Sequence, residues 1–334
     1  MRMSLGRNTG YEIEATMRAF LLSGIVGLIP AVVGAQAVML PTPEPFGTQV
    51  RTTIRVDGEP DWLEPQDDAV WALTNEGMVL VDPRHGGTVR RVAARKLCGA
   101  PISGYGALWV ASCGDSTVLR IDLASGRIVA TVPALLVEYE SSLAVADSSV
   151  WLITDTLSTL LRIDARTNRV SARIELKPRS TGVAAGFGAV WVSNTGDSSA
   201  STPGTVQRVD PKANRVSATI RVGRQPRFLT AGEGAVWVLN QGDGTVSRID
   251  PSSNQVIATI DAGVPGPGGD IAAGAGRVWI RAGIVLLSVL DPRTNRIVRR
   301  FGPPAGSGAV RVGRSAVWVS AHDVNTIWEL TLDR

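Results

Sequence analysis

From about residue 50 onward, short runs of alternating apolar and polar residues recur along the chain, each closed by Gly, Asn or Asp. Val216-Ser217-Ala218-Thr219-Ile220-Arg221-Val222 is one such run, and Val256-Ile257-Ala258-Thr259-Ile260-Asp261 is another. A period of two predicts half-buried β-strands. The strands belong to a larger repeat. The segments DAVWAL, GALWVA, SSVWLI, GAVWVS, GAVWVL, GRVWIR and SAVWVS place Trp at 71, 109, 151, 191, 237, 279 and 318, with spacings of 38, 42, 40, 46, 42 and 39. A steady period near 40 with Gly-containing turns predicts an all-β fold. It is a seven-bladed β-propeller of four-stranded antiparallel blades, with strands a to d running from the axis outward.

Turn chemistry supports this parsing. Six units end strand c in Asp and carry Asn or Gly four residues on: Asp82/Gly86, Asp122/Gly126, Asp164/Asn168, Asp210/Asn214, Asp250/Asn254 and Asp291/Asn295. Asp opens a turn by accepting from its own backbone two residues on, Pro presets φ, and Asn or Gly tolerates the left-handed conformation that closes the hairpin. These Asp residues are therefore read as structural. The seventh unit runs only through Thr326-Ile327-Trp328-Glu329-Leu330. Its missing strand d is expected from Val50-Arg51-Thr52-Thr53-Ile54-Arg55-Val56, which matches residues 216–222, so that the N-terminal strand closes the ring.

The segment before the repeats reads as targeting sequence. Residues 17–37, MRAFLLSGIVGLIPAVVGAQA, combine Arg18, an apolar run of about 15 residues and a small-x-small site at Ala35-Gln36-Ala37. That run is too short to span a hydrocarbon core, which needs about 20 residues. Glu12 and Glu14 suit no signal n-region, which makes Met17 an alternative start. The expected division is a signal peptide over 1–37, a Pro-rich linker over 38–47 and the propeller over 48–334, in a periplasmic or secreted protein without a transmembrane anchor after cleavage. Export places Cys98 and Cys113 where disulfides persist. Cys98 enters strand a of the second unit and Cys113 leaves its strand b, so antiparallel pairing sets them side by side and predicts a bridge.

Composition then narrows the chemistry. Lys+Arg 34 against Asp+Glu 30 gives a net charge of only +4, and the 44% apolar content excludes global disorder. Two Cys and two His exclude a Cys-rich zinc module. No nucleophile elbow, phosphate loop or metal-spaced cluster appears, so no metal, no cofactor and no catalytic residue is assigned. Arg120, Arg162, Arg208 and Arg248 recur once per unit and read as a solvated or strand-pairing ring rather than a nucleic-acid stripe.

The motifs AVWVSN (189–194) and AVWVLN (235–240), the latter followed by GDGTVSRIDP (242–251), resemble the YVTN/YncE-like seven-bladed propellers. The streptogramin (virginiamycin B) lyases belong to the same broad group. This resemblance implies a binding platform, a scaffold or, in the lyase branch, a Mg²⁺-dependent C–O lyase. The lyase pattern requires a His after Pro in a d–a loop, yet Arg227 follows Pro226 here, and the next unit has Gly269. A streptogramin-lyase-like enzyme is therefore the disfavoured alternative.

Ligands of propellers gather where d–a and b–c loops converge. The position ten residues before each repeat Trp supplies Asp61, Gly99, Ser141, Thr181, Arg227, Gly269 and Gly308. The b–c side adds Asn75, Asp155, Asn194, Asn240, Gln241, His322 and Asp323. The candidate rim is Asp61, Arg227, Asn194, Asn240, Gln241, His322 and Asp323, and its asparagines also suit plain hairpin turns. The fourth b–c loop is the longest, with its excess inside 196–204, and is read either as a recognition loop or as a tolerated insertion. The expected function is a monomeric, non-catalytic binding or scaffold protein that takes a small polar ligand or a protein partner on this face.

Overall fold

The computed structural model describes residues 39–94, 96–136, 142–154, 158–196 and 201–332. The expected signal peptide lies outside the described residues. Among the described residues no helix is long and apolar enough to cross a membrane.

Seven four-stranded antiparallel sheets make the seven blades. Blade 1 is Leu63–Gln66, Ala69–Thr74, Gly77–Asp82 and Gly87–Ala93; blade 2 is Leu97–Gly104, Ala107–Ser112, Thr117–Asp122 and Ile128–Pro133. Blade 3 is Leu143–Ala146, Ser149–Thr154, Thr159–Asp164 and Arg169–Glu175; blade 4 is Ser180–Gly186, Ala189–Asn194, Pro203–Asp210 and Arg215–Arg224. Blade 5 is Pro226–Gly232, Ala235–Asn240, Thr245–Asp250 and Gln255–Asp261; blade 6 is Asp270–Gly274, Arg277–Arg281, Leu287–Asp291 and Arg296–Phe301. Blade 7 takes strands a to c from Val310–Val312, Ala316–Ala321 and Thr326–Thr331, and its outer strand is Val50–Arg55. That strand pairs antiparallel with strand c, Ile54 opposite Ile327, and Arg51 reaches the buried Glu329 at 2.6 Å.

Strand b is the core of each blade. In six of the seven blades all six of its residues are buried, and the repeat Trp is 6% exposed in blade 6 and fully buried in the others. Strand d faces outward and alternates exposed with half-buried residues, its one buried position being Ile174 in Arg169–Glu175 and Ile260 in Gln255–Asp261. The six turn aspartates each accept a backbone N–H two or three residues on, at 2.7–2.9 Å, and the residue at the fourth position has φ between +51° and +79°. Their carboxyls are held below the ordinary range, first by side-chain bonds from Arg84 at Asp82 and Ser125 at Asp122, and first by backbone turn bonds from Thr167 at Asp164, Ala213 at Asp210, Ser252 at Asp250 and Arg293 at Asp291.

Of the two expectations for the strand c arginines, solvated or strand-pairing, the strand-pairing one holds, each standing opposite the Trp of its own blade. Arg120, Arg162, Arg208 and Arg248 each lie over the Trp of their own blade, 5.0–5.5 Å from the ring centroid, and each reaches the c–d turn of the next blade. Their acceptors are Asn168, Asn214, Asn254 and Asn295. The tryptophan face and the turn carbonyls are what fix a planar guanidinium in place. The disulfide joins Cys98 to Cys113 with Cα atoms 5.8 Å apart. In the fourth b–c loop, residues 197–200 lie outside the described residues. Pro203 and Gly204 belong to an extended strand c, and Pro203 pairs with Arg224.

Candidate binding site in the channel and at its mouth

Each strand a is the inner edge of its sheet, so the seven of them enclose an axial channel. Its cavity of about 230 Å³ is lined by residues of all seven blades. Small side chains, among them Ala144, Ala184 and Ala272, make most of that wall, and the charged groups are confined to Glu64, Asp270 and Arg311. These three stand on blades 1, 6 and 7, which are neighbours in the ring.

Asp270 opens strand a of blade 6. Its Oδ1 accepts from the N–H of Ile271 at 2.9 Å; its Oδ2 accepts from the N–H of Val310 at 3.1 Å and from Arg311 Nη1. The pair ties blade 6 to blade 7. Burial pushes the Asp270 carboxyl up, opposed first by Arg311 and then by the two backbone donors. Glu64 is 7% exposed, and its Oε1 accepts both from the N–H of Ser103 at 2.9 Å and from Ser103 Oγ at 2.5 Å, tying blade 1 to blade 2. Burial raises this carboxyl as well; the Ser103 bonds and Arg311 pull it down less strongly. Trp62 and Phe228 flank the group with ring centroids 5.5 Å apart, and the Arg311 guanidinium lies 5.9 Å from the Trp62 ring.

A second cavity, of about 450 Å³, opens where the b–c and d–a connections of blades 7, 1 and 2 meet. It is lined by Glu59, Asp61, Asn75, Lys96 and His322 together with Leu73, Thr74 and Leu97. His322 Nδ1 contacts Asp323 Oδ1, and their side chains are 31% and 51% exposed. Asp61 and His322, far apart in the chain, thus share one cleft, and three residues along from Asp61 the same segment delivers Glu64 to the channel.

The other rim candidates are held elsewhere. Asn194 is buried and donates Nδ2 to the carbonyls of Lys177 and Pro178, while its Oδ1 accepts from the N–H of Gly196 at 3.1 Å. Asn240 is buried and donates to Thr245 Oγ1 at 3.0 Å and Ser247 Oγ at 2.9 Å. Gln241 donates to the carbonyl of Gly268 at 2.9 Å. These three organise loops. Arg227 lies 5.9 Å from the ring of its neighbour Phe228, and its carbonyl accepts from Ser193 Oγ at 2.7 Å; it does not line the channel cavity. Ser141 and Asp155 lie outside the described residues.

Sequence reasoning gave no role to Glu64, Arg311 and Arg281, and set Asp270 aside as a lone oxygen ligand after Gly268-Gly269. Arg281 is fully buried and donates only to carbonyls: Ser320 at 3.1 Å, Ala282 at 2.5 Å, and Ala305 and Ser307 each at 3.3 Å. Burial brings its guanidinium down to about 10, against the nearby charges of Asp61, Asp323 and Asp270. The overlooked signal was in the repeat itself. Seven residues before the Trp the units read Glu64, Ile102, Ala144, Ala184, Thr230, Ala272 and Arg311; two residues after it they read Leu73, Ala111, Ile153, Ser193, Leu239, Arg281 and Ser320. Charge at a repeat position that is otherwise uncharged marks the departure from pure scaffold.

No protein-family model matches this chain, and no curated protein matches it. Among the described residues no group of three or more His, Cys, Asp or Glu is placed to hold a metal ion.

Proposed function

We propose that this chain is an exported, non-catalytic binding protein whose ligand is a small polar molecule received at the mouth and channel of the propeller. The observation that carries the reading is the segregation of charge. Glu64, Asp270 and Arg311 in the channel and Asp61 and His322 at the mouth all come from blades 6, 7 and 1 or the loops beside them, while the rest of the channel wall is uncharged. A structural repeat has no need for charge at one sector of its axis, where desolvation costs stability. A binding site does need such a sector, because polar groups at fixed positions set the orientation of a ligand. A protein partner on the same face is the broader form of the reading. The lyase alternative lacks a specific observation in its favour, since Arg227 and Gly269 occupy the positions where the resemblance requires imidazole.

Thermal-shift screening of the purified protein against small charged and neutral solutes tests the proposal. Stabilising solutes are expected, with the shift reduced in Asp61→Asn or Glu64→Gln. A screen without stabilisers, or stabilisation indifferent to both variants, would overturn it. Incubation with Mg²⁺ and a type B streptogramin is expected to leave the substrate cyclic; turnover that disappears in His322→Ala would establish the enzyme instead.

A further inference from the structure

The channel charges do not balance. Arg311 is committed to Asp270, through the Nη1 contact with Oδ2, and also donates to the carbonyl of Val310 at 2.8 Å. Asp270 has a partner for each of its oxygens. Glu64 is different. Both Ser103 donors converge on Oε1, and no described residue hydrogen-bonds to Oε2. The side chain is more than nine-tenths buried and lines the cavity. With these three groups ionised the channel lining carries one net negative charge, next to two aromatic rings and an aliphatic far wall; the buried Arg281 behind it is faced by Asp61 and Asp323 as well as by Asp270.

We propose that the channel binds a small organic monocation, an alkylammonium, with Glu64 Oε2 as its counter-charge. The inference rests on the reading of the propeller as a receptor for a small polar ligand and names the class of that ligand. An ammonium supplies the donor that Oε2 lacks and the charge that the cluster lacks. Trp62 and Phe228 offer a π-surface to its carbon-bound hydrogens, and the alanines across the ring accept a short alkyl chain. An anion meets the opposite situation, because the guanidinium it needs is already engaged by Asp270. Burial disfavours the charged form of Glu64, and a cation beside Oε2 favours it. Arg311 and Asp270, the other charged groups facing it, keep their mutual pairing.

Isothermal titration calorimetry of the full chain with n-butylammonium, n-butyrate and n-butanol separates the possibilities. Butylammonium is expected to bind one per chain; at pH values below the folded pKa of Glu64, binding releases a proton and affinity rises by up to about tenfold per pH unit. Glu64→Gln is expected to weaken binding at least about tenfold. Ala184→Leu, across the ring on blade 4, is expected to block the cation while leaving the Glu64–Ser103 bond in place, which keeps the test decisive if the Glu64 variant does not fold. Preference for butyrate overturns the cation assignment and spares the receptor reading. Binding by none of the three probes overturns the inference, and the receptor reading with it if the solute screen is also silent. Butylammonium affinity unchanged in Glu64→Gln or in Ala184→Leu places the cation outside the channel and overturns the inference.

Discussion

Arg162 in blade 3 donates to Asn214 Oδ1 in blade 4 at 3.0 Å and to the carbonyl of Pro211 at 2.6 Å. The same guanidinium lies 5.1 Å from the Trp151 ring centroid and bonds Ser149 Oγ through Nε at 2.8 Å. One side chain therefore covers its own blade's core tryptophan and fastens the next blade's outer turn. The left-handed asparagine, φ +51°, is needed twice, once for the turn and once as acceptor. Lysine keeps the charge and loses the stacked plane and the fork. Arg162→Lys is expected to lower unfolding free energy by about 1–3 kcal/mol in denaturant titration, and an unchanged midpoint would show that the stacked latch contributes nothing beyond charge.

Blade 1 lacks this arginine, and the compensation is visible. Leu80 stands opposite Trp71 in place of Arg, and its partner on strand d, Arg90, sends Nη1 to the carbonyl of Leu123 in the blade 2 turn at 3.0 Å. That turn ends in Gly126, φ +70°, rather than Asn; a Cβ there would stand 2.4 Å from Arg90 Cδ. The glycine thus makes room for an arginine arriving from another strand. A double-mutant cycle tests the coupling. Gly126→Ala is expected to destabilise the protein, and Arg90→Ala to relieve part of that cost, leaving an interaction energy of at least about 0.5 kcal/mol. The left-handed strain of alanine persists in both backgrounds and cancels from the cycle. Strictly additive effects would mean that Arg90 does not occupy the space the glycine leaves.

The blades were legible in the sequence because each carries a repeat Trp in an apolar strand b, and six of them an Asp turn closed by Asn or Gly, all local in the chain. The inter-blade contacts were legible only as residues. Arg162 and Asn214 are 52 apart, and nothing local in either says that they meet. The site divides the same way. Asp61 and His322 were singled out from their loop positions, and the fold joins them in one cleft. Asn194, Asn240 and Gln241 stand at similar loop positions and turn their amide N–H groups inward to carbonyls and hydroxyls, while Asn240 Oδ1 has no partner among the described residues. Glu64 and Arg311 carry no such loop signal, because they lie seven residues before the Trp, where strand a faces the channel, rather than at the loop position ten before it.

The bridge between Cys98 and Cys113 closes 15 residues around the a–b hairpin of blade 2, where strand a departs from regular register between Cys98 and Ile102. Pairing alone holds this edge weakly, because Gly99, Ala100 and Pro101 interrupt the ladder. Replacing both cysteines with alanine is expected to cost about 3 kcal/mol in the chain-entropy account of loop closure, read as a lower denaturation midpoint for the variant than for the unreduced parent. Reduction of the parent should reproduce the variant's midpoint. Coincident curves for parent, reduced parent and variant would contradict this.

Two sets of carboxyls pull stability in opposite directions with pH, and Glu64 allows them to be separated. The turn aspartates are held below their unfolded values, so their contribution is present above about pH 3.9 and is lost as pH falls through their folded pKa values. Glu64 is raised by burial. Between its unfolded value of about 4.3 and its folded one, the unfolded chain has already released the proton that the native state keeps, so native stability declines as pH rises through that window and levels off above it. Glu64→Gln cannot ionise, and its amide retains an oxygen acceptor for Ser103. Relative to the parent, the variant is therefore expected to gain stability as pH rises from about 4.3, and to share the parent's loss in acid, where the turn aspartates dominate. Denaturant titrations at a series of pH values check this. Parallel profiles across the whole range would mean that Glu64 keeps an ordinary pKa in the folded channel, and that its free oxygen is compensated there by something other than a retained proton.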